Sequence, residues 1–545
     1  MFRRLNVYPV AFITIFVMLI TLTSFDYIPV SIMESRNFIT AREMVNDGNW
    51  LLPTLNGEPR YEKPPLPTWL SAVSGIALGI DSVFALRLPG IFMIMIIGIF
   101  CYLITDKLIK YKTQAFINSL IVITSFYVFA ITVEAPWDIF AHGFMLMGIF
   151  FLINSFQSEK LNLISSLLSA LCIGLSILSK GPVSVYALFL PFLIAYLVVF
   201  RGSFKRSKVF TLFSVIFLAL IIGGWWFIYA RINNPAAFDA VVNTESTNWA
   251  NYNVRPFYYY WSFFIQSGIW TIPTFISLLY PYLKDKVYNL KAYQFTLLWT
   301  LISVILLSII PEKKSRYLMP VLIPLALNTG FYIEYLFREF KNIKSYLELV
   351  PIYFYFGILA IACFVIPISV FFMKDYFVGF SILWYTLLSF TLLTIGLALF
   401  LGLKNKNPKT LFISVVGIMV SVLLFLPPIY DKMERNNYNP ISEFHKNRLY
   451  KDISVYSING VSPEFIWDYG DKIPELRTES SEILIPDENQ FGLLVPRAND
   501  SVGEFLKSKN LKYKKISTYN LNRSAKGAKA YKDRLVNDLL LVSKE

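Results

Sequence analysis

Cations recur in this chain where a run of apolar residues has little use for them. The six residues from Pro311 read Pro-Glu-Lys-Lys-Ser-Arg, which puts Lys313, Lys314 and Arg316 in a very short turn between two apolar stretches. Lys180 stands in Ser-Lys-Gly-Pro between two others. A charge held near a bilayer loses hydration, at a cost of roughly 2.5–3.5 kcal/mol at mid-membrane and less at the interface. Clustered cations therefore persist where an anion offsets that cost. Snorkelling to lipid headgroups accounts for any one of them alone. Joined by Arg36, Arg42, Arg60 and Lys63, they favour a phosphate-bearing lipid ligand. Carboxylates stand nearby in sequence: Glu34, Glu62 and Asp138. Glu34 recurs with Phe38, Ala41 and Val45 at helical spacing, which predicts a short helix lying along the membrane surface with Glu34 near the lipid boundary.

The elements that must position these groups are membrane helices. Of 545 residues, 55% are hydrophobic and only 16% charged, too few charges to cover a soluble surface. Apolar runs long enough for a hydrocarbon core of roughly 30 Å fall near 8–25, 84–105, 114–133, 139–156, 163–178, 183–200, 210–230, 261–283, 293–310, 317–337, 349–373, 380–402 and 410–428. The fold class expected is an all-α polytopic membrane domain of about thirteen helices, residues 1–428, interrupted by loops 26–83 and 231–260. Arg3 and Arg4 precede an apolar run too long for a signal peptide, with no small-residue cleavage site after it, so it reads as a first span. Placing the N-terminus in the cytoplasm gives every cytoplasmic loop a Lys or Arg, from Lys107–Lys112 through Arg201–Lys208 to Lys404–Lys409. The +14 net charge then needs no nucleic-acid partner. Residues 429–545 fall outside the cytoplasm. Polar, with strand-like runs at Ile453–Ile458, Phe491–Val495 and Leu539–Val542 and a helical stretch at Val502–Lys509, they predict a small C-terminal α/β domain. Cys101, Cys172 and Cys363 all lie in apolar spans, where a thiol is a small hydrophobe. His142 and His445 are the only histidines, and no cluster has metal-ligand spacing.

The first loop carries a resemblance. An acid precedes Arg-x-x-x-x-Ala-Arg-Glu-Met at Arg36 to Met44; Gly-Asn-Trp-Leu-x-Pro follows at Gly48 to Pro53, and Tyr-Glu-Lys-Pro-Pro at Tyr61 to Pro65. In this order they resemble the first outer loop of the aminoarabinose transferase and protein O-mannosyltransferase superfamily. Glu134 to Asp138, Ser179 to Gly181, Arg255 to Tyr260 and Lys314 to Pro320 match further along. The resemblance implies the GT-C fold, a single displacement with inversion at a sugar's anomeric carbon, a polyprenyl-phosphate sugar donor, a lipid, glycan or protein acceptor, and no divalent ion or other cofactor. It implies a monomeric enzyme of the inner membrane with its site and C-terminus extracytoplasmic.

Such a reaction needs a carboxylate to take the acceptor's proton and cations to stabilise the departing phosphate. Glu34 leads for the base, with Asp138 and Glu62 behind it. Lys63, Lys180, Lys314, Arg316 and Arg36 would hold the phosphate, and in the family the glutamate and lysine matching Glu62 and Lys63 line the donor cavity. Tyr61, Trp69 and Tyr317, with the run Phe257 to Trp261, are positioned to touch sugar or lipid, or to form an interfacial aromatic belt. One departure matters: the family opens this loop with Asp-Glu, and here Met33 fills the aspartate position. Glu34 also reads as a helix N-terminal acid and Asp138 as a helix cap. Two other classes compete. A transporter would place its charges at mid-span and repeat its halves, which this chain does not, and a glycan ligase or polymerase would use a pyrophosphate donor.

Overall fold

The computed structural model describes residues 8–544 apart from 22, 202–205, 447–452, 459, 477–483 and 498–500. Arg3 and Arg4, and part of the Arg201–Lys208 loop, lie outside the described residues, as does the side chain of His445. Among the described residues ten helices are long and apolar enough to cross a membrane, and Lys112–Thr124 with Phe126–Glu134 makes an eleventh if the pair, bent by 43°, is one span. The protein is thus a multi-pass membrane protein. The expectation of thirteen unbroken spans is corrected at two places. The stretch 183–200 is a π turn, Val185–Phe189, followed by the short helix Leu190–Val199. The stretch 261–283 breaks into Phe263–Trp270, Thr271–Ser277 and Tyr280–Leu283. Gly268 adopts φ +65° at the kink, packed on Phe126, and Pro281 opens the last short piece.

Met319–Glu339 is the central element. Every residue from Met319 to Leu336 is buried, and its neighbours include Lys112–Thr124, Leu290–Ile309 and Thr271–Ser277. Polar side chains cross these contacts in pairs, as apolar surroundings demand. Asn328 donates to the Ser277 carbonyl at 2.9 Å and accepts from Thr296 at 3.1 Å. Asn118 donates to Thr105 at 3.1 Å and lies flat against Gly330, where a methyl group would come within 1.5 Å of its Oδ1.

On one end of this bundle lies a cap. The helix Ile32–Asp47 starts with a capping box, Ser31 accepting from the Glu34 N–H and Glu34 accepting from the Ser31 N–H, and stops at Gly48 with φ +78°. Two-residue strands Thr54–Leu55 and Glu58–Pro59 turn over Asn56-Gly57, both at positive φ. The Glu43 carboxylate clamps that turn, accepting from Thr54 at 2.5 Å and from the Asn56 N–H at 2.7 Å. Above the cap sits a four-stranded sheet. In spatial order its strands are Val455–Ser457, Gln490–Pro496, Val536–Lys544 and Leu511–Asn520, the first pair parallel and the rest antiparallel. Helices Pro463–Tyr469 and Ser501–Ser508 pack beside it. The sheet docks on the cap through Arg42, which donates to the Ile466 carbonyl at 3.2 Å, and through Phe38 against Trp467. Asn56 and Ile473 exchange two hydrogen bonds of 2.8 Å.

The Asn118–Gly330 contact tests the central packing. Gly330→Ala should lower stability by about 1–3 kcal/mol through overpacking, and adding Asn118→Ala should recover part of that loss. Thermal unfolding in detergent measures both.

Candidate active site

The cap, the first turn of Pro136–Gln157, the end of Leu163–Lys180 and the turn at 311–318 converge on one polar region. At its centre is Tyr317. Lys180 Nζ lies 5.4 Å from the centre of its ring, Lys314 Nζ 5.6 Å and the Arg316 guanidinium 5.9 Å. Asp138 sits in the first helical turn after Pro136, and its Oδ1 is ion-paired with Lys180. Lys180 closes its own helix, where Gly181 takes φ +73° to turn the chain away. Among the described residues, polar atoms buried here with no partner include Asp138 Oδ2, Gln266 Oε1, Trp137 Nε1 and Arg316 Nε. Orphaned acceptors and donors are costly to maintain and fit a site that receives a polar ligand.

The sequence candidates divide by what they touch. Glu62 is half-exposed beside Arg60 at 3.9 Å, and Lys63 reaches Glu245 at 3.4 Å. Arg36 pairs with no carboxylate among the described residues and meets only the Met33 sulfur, at 3.9 Å. Met33, three residues before it, offers that guanidinium no charge. Tyr61 accepts from Asn234 at 3.2 Å and packs edge-on to Trp226. Trp69 donates to the Trp50 carbonyl at 2.7 Å and stacks on Trp225, which ties it to the cap framework. Lys314 pairs with the buried Glu312 at 2.5 Å, and Tyr317 donates to the same carboxylate at 3.2 Å.

Three expectations need correction. Glu34 is fully buried, and Arg87 holds both its oxygens, at 2.7 and 2.9 Å. Burial raises its carboxyl from the ordinary value, while Arg87 and the Ser31 N–H pull it back. With neither oxygen open to an incoming hydroxyl, Glu34 fixes the cap in place. Lys313 likewise turns away from the cluster and donates to the carbonyls of Ile310, at 2.5 Å, and Arg255, at 3.1 Å, fastening the 252–256 segment to this turn. Burial lowers its ammonium from the ordinary value. Arg60, counted among the loose cations, is also engaged: it donates to the Arg36 carbonyl at 3.2 Å and to Thr40 at 3.0 Å and lies over Trp137 at 4.7 Å. Burial pulls its guanidinium down to about 10.

Sequence reasoning passed over Arg87, Glu312 and the Tyr127–Glu134 hydrogen bond of 2.7 Å at the rim. Arg87 left a signal, since an arginine inside an apolar run needs an acid within reach. No group of three or more His, Cys, Asp or Glu side chains gathers as a metal site among the described residues. Cys101, Cys172 and Cys363 are buried free thiols.

The fold is that of the GT-C membrane glycosyltransferases. ArnT from Cupriavidus metallidurans, solved bound to undecaprenyl phosphate, superposes over 98% of each chain with a TM-score of 0.66 at 13% identity. Residues 62–227 match the family described as dolichyl-phosphate-mannose-protein mannosyltransferase. Over 305 residues the chain is 26% identical to the undecaprenyl phosphate-alpha-4-amino-4-deoxy-L-arabinose arabinosyl transferase of Photorhabdus laumondii, covering 54% of this chain and 53% of that one. An uncharacterized protein of Aquifex aeolicus is 24% identical over 310 residues, 56% of this chain and 59% of its own. In these alignments the chain spans little more than half the length of the curated relatives it matches. In sequence and in fold the chain is similar to aminoarabinose and protein mannosyltransferases.

The Glu34–Arg87 pair makes a direct prediction. Removing either partner leaves a buried charge alone, so Glu34→Ala and Arg87→Ala should each cost about 3–5 kcal/mol. The double variant should lose less than their sum, which a double-mutant cycle of unfolding in detergent would reveal.

Proposed function

We propose that the protein moves a single sugar from a polyprenyl-phosphate carrier to an envelope acceptor, a glycolipid, other glycan or protein, on the extracytoplasmic face. The observation that carries this reading is the gathering of Lys180, Lys314 and Arg316 around Tyr317, next to a carboxylate with one unengaged oxygen. The undecaprenyl phosphate bound by the structural neighbour supports a lipid monophosphate as the anion.

In this reading the acceptor hydroxyl attacks the anomeric carbon from the side away from phosphate. The carbon–oxygen bond to phosphate breaks, the configuration inverts, and the lipid phosphate departs with the electron pair. Lys63, Lys314, Arg316 and Arg36 hold its charge, with Lys180 at the junction between phosphate and acid. Lysine and arginine do this without reorganising at the moment of reaction. Lys180 fixes Asp138 through Oδ1, which leaves Oδ2 to accept the hydroxyl proton. Glu62, half-exposed on the cap loop, is the second position for a base. Tyr61 and Tyr317 flank the sugar, and Trp69 supports the loop beneath it. Glu34 acts at a distance by holding the cap.

Two sets of variants test the assignment in reconstituted membranes. Asp138→Asn should cut turnover roughly 10²- to 10⁴-fold while donor binding holds, and Glu62→Gln should cut it less; the reverse order would move the base to Glu62. Lys63→Ala and Arg316→Ala should weaken donor binding and slow transfer, and unchanged values for both would remove the phosphate assignment. Mass spectrometry of envelope lipids and glycoproteins from cells with and without the gene identifies the sugar and the acceptor together.

A further inference from the structure

The segment 521–535, between the last two strands, is an outlier in charge. It carries Arg523, Lys526, Lys529, Lys532 and Arg534 against a single acid, Asp533. Arg534 pairs with Glu464 at 2.7 Å, and Arg523 donates to the Lys432 carbonyl and lies over Tyr438. Lys526, Lys529 and Lys532 are exposed and meet no carboxylate among the described residues. Nothing in the proposed transfer site uses them.

Their place in the fold gives them a partner. The tip of the segment, at Ala525 and Lys526, shares a small cleft with Asp375, Tyr376 and Arg435. Asp375 and Tyr376 belong to the turn between the spans Tyr346–Phe372 and Ile382–Lys404. That turn is apolar and uncovered: Phe372 is 72% exposed, Tyr376 60% and Met373 45%. Lys374 and Arg435 lie over its aromatic rings, Arg435 at 5.7 Å from Phe377 and 5.9 Å from Tyr376. Aromatic side chains with cations at the end of a membrane span mark the headgroup level. The lysine-bearing segment therefore stands at the bilayer surface, on the face that carries the sheet.

We propose that residues 521–535 form a lipid-binding strap whose Lys526, Lys529 and Lys532 hold anionic phospholipid headgroups of the surrounding leaflet. Two independent features meet there, an exposed apolar rim that sets the depth and a surplus of positive charge complementary to phosphate. Basic residues near an anionic surface attract it within about a Debye length, roughly 8–10 Å. The occupant is the membrane in which the protein already sits, so no soluble partner is required. This inference stands apart from the sugar-transfer reading.

The test uses the full chain in nanodiscs, whose two faces are both open to solvent. Hydrogen exchange of residues 521–535 is compared in phosphatidylcholine alone and with one-third phosphatidylglycerol. We expect exchange at least about tenfold slower with the anionic lipid, a difference that largely disappears in 0.5 M salt. The variant K526E/K529E/K532E should lose the difference while keeping the wild-type unfolding temperature, and K526Q/K529Q/K532Q should lose most of it. Equal exchange in the two bilayers, protection undiminished in both variants, or the same protection from inorganic phosphate in phosphatidylcholine discs would overturn the proposal.

Discussion

Arg87 is the residue on which the geometry of the site depends. Its guanidinium sits inside the apolar run that opens the span Val83–Ile109, and it meets five acceptors there: both Glu34 oxygens and the carbonyls of Phe25, Ile28 and Pro29. A cation in that position is tolerable only when every donor is used. Satisfying it joins the end of the first span, the start of the cap helix and the second span at one point. From that point the positions follow in sequence. The cap helix presents the Arg36 carbonyl and Thr40 to Arg60, Arg60 covers Trp137, and Trp137 precedes Asp138, which holds Lys180 over Tyr317.

The cations of this face therefore do two different jobs, and the contacts separate them. Arg42, Arg60, Arg87 and Lys313 spend their donors on carbonyls, hydroxyls or a buried acid, and each joins segments distant in the chain. Lys63, Lys180 and Lys314 each meet one carboxylate, and Arg36 and Arg316 meet none among the described residues. An incoming phosphate would have to displace contacts that hold segments together to reach the first set, in which Arg42 alone keeps a buried Nη1 without a partner among the described residues. In the proposed reading it brings the second set a shared anion, in place of the pairs that Lys63 and Lys314 make with Glu245 and Glu312. Carboxylates in those positions lower the cost of holding like charges together.

Much of this was legible in the sequence, and the failures have physical causes. Thirteen apolar runs were visible because burial in lipid demands them, but run length is blind to backbone. Gly268 and Pro281 break one run, and another folds as the single helix Val185–Val199, too short for a span, without any change in its hydropathy. The helix bearing Glu34, Phe38 and Ala41 was found from its spacing, yet the role of Glu34 was not. Its partner lies 53 residues away, and only folding brings a long-range ion pair into view. Among Lys313, Lys314 and Arg316, composition gave three equal cations, whereas the turn sends one back onto its own carbonyls. In the C-terminal domain the strands Gln490–Pro496 and Val536–Lys544 showed as apolar runs because they lie inside the sheet. Leu511–Asn520 did not, since an edge strand exposes Lys512, Lys514 and Lys515 and loses its alternation.

The sheet also has a bearing on the site that its distance from Tyr317 would not suggest. Its contact with the cap falls on the loop that carries Tyr61, Glu62 and Lys63. Asn56, at the tip of the two-stranded turn, is bound on one side by Glu43 from the cap helix and on the other by the Ile473 backbone. A turn of only two residues per strand has almost no stability of its own. Held from both sides, it fixes where the chain emerges at Arg60, and so the direction in which Lys63 leaves toward Glu245. The C-terminal domain thereby adds to the hold that the span Ser207–Asn233 has on the same loop through Trp226, and a loop fixed in advance binds a ligand without first paying for its own ordering.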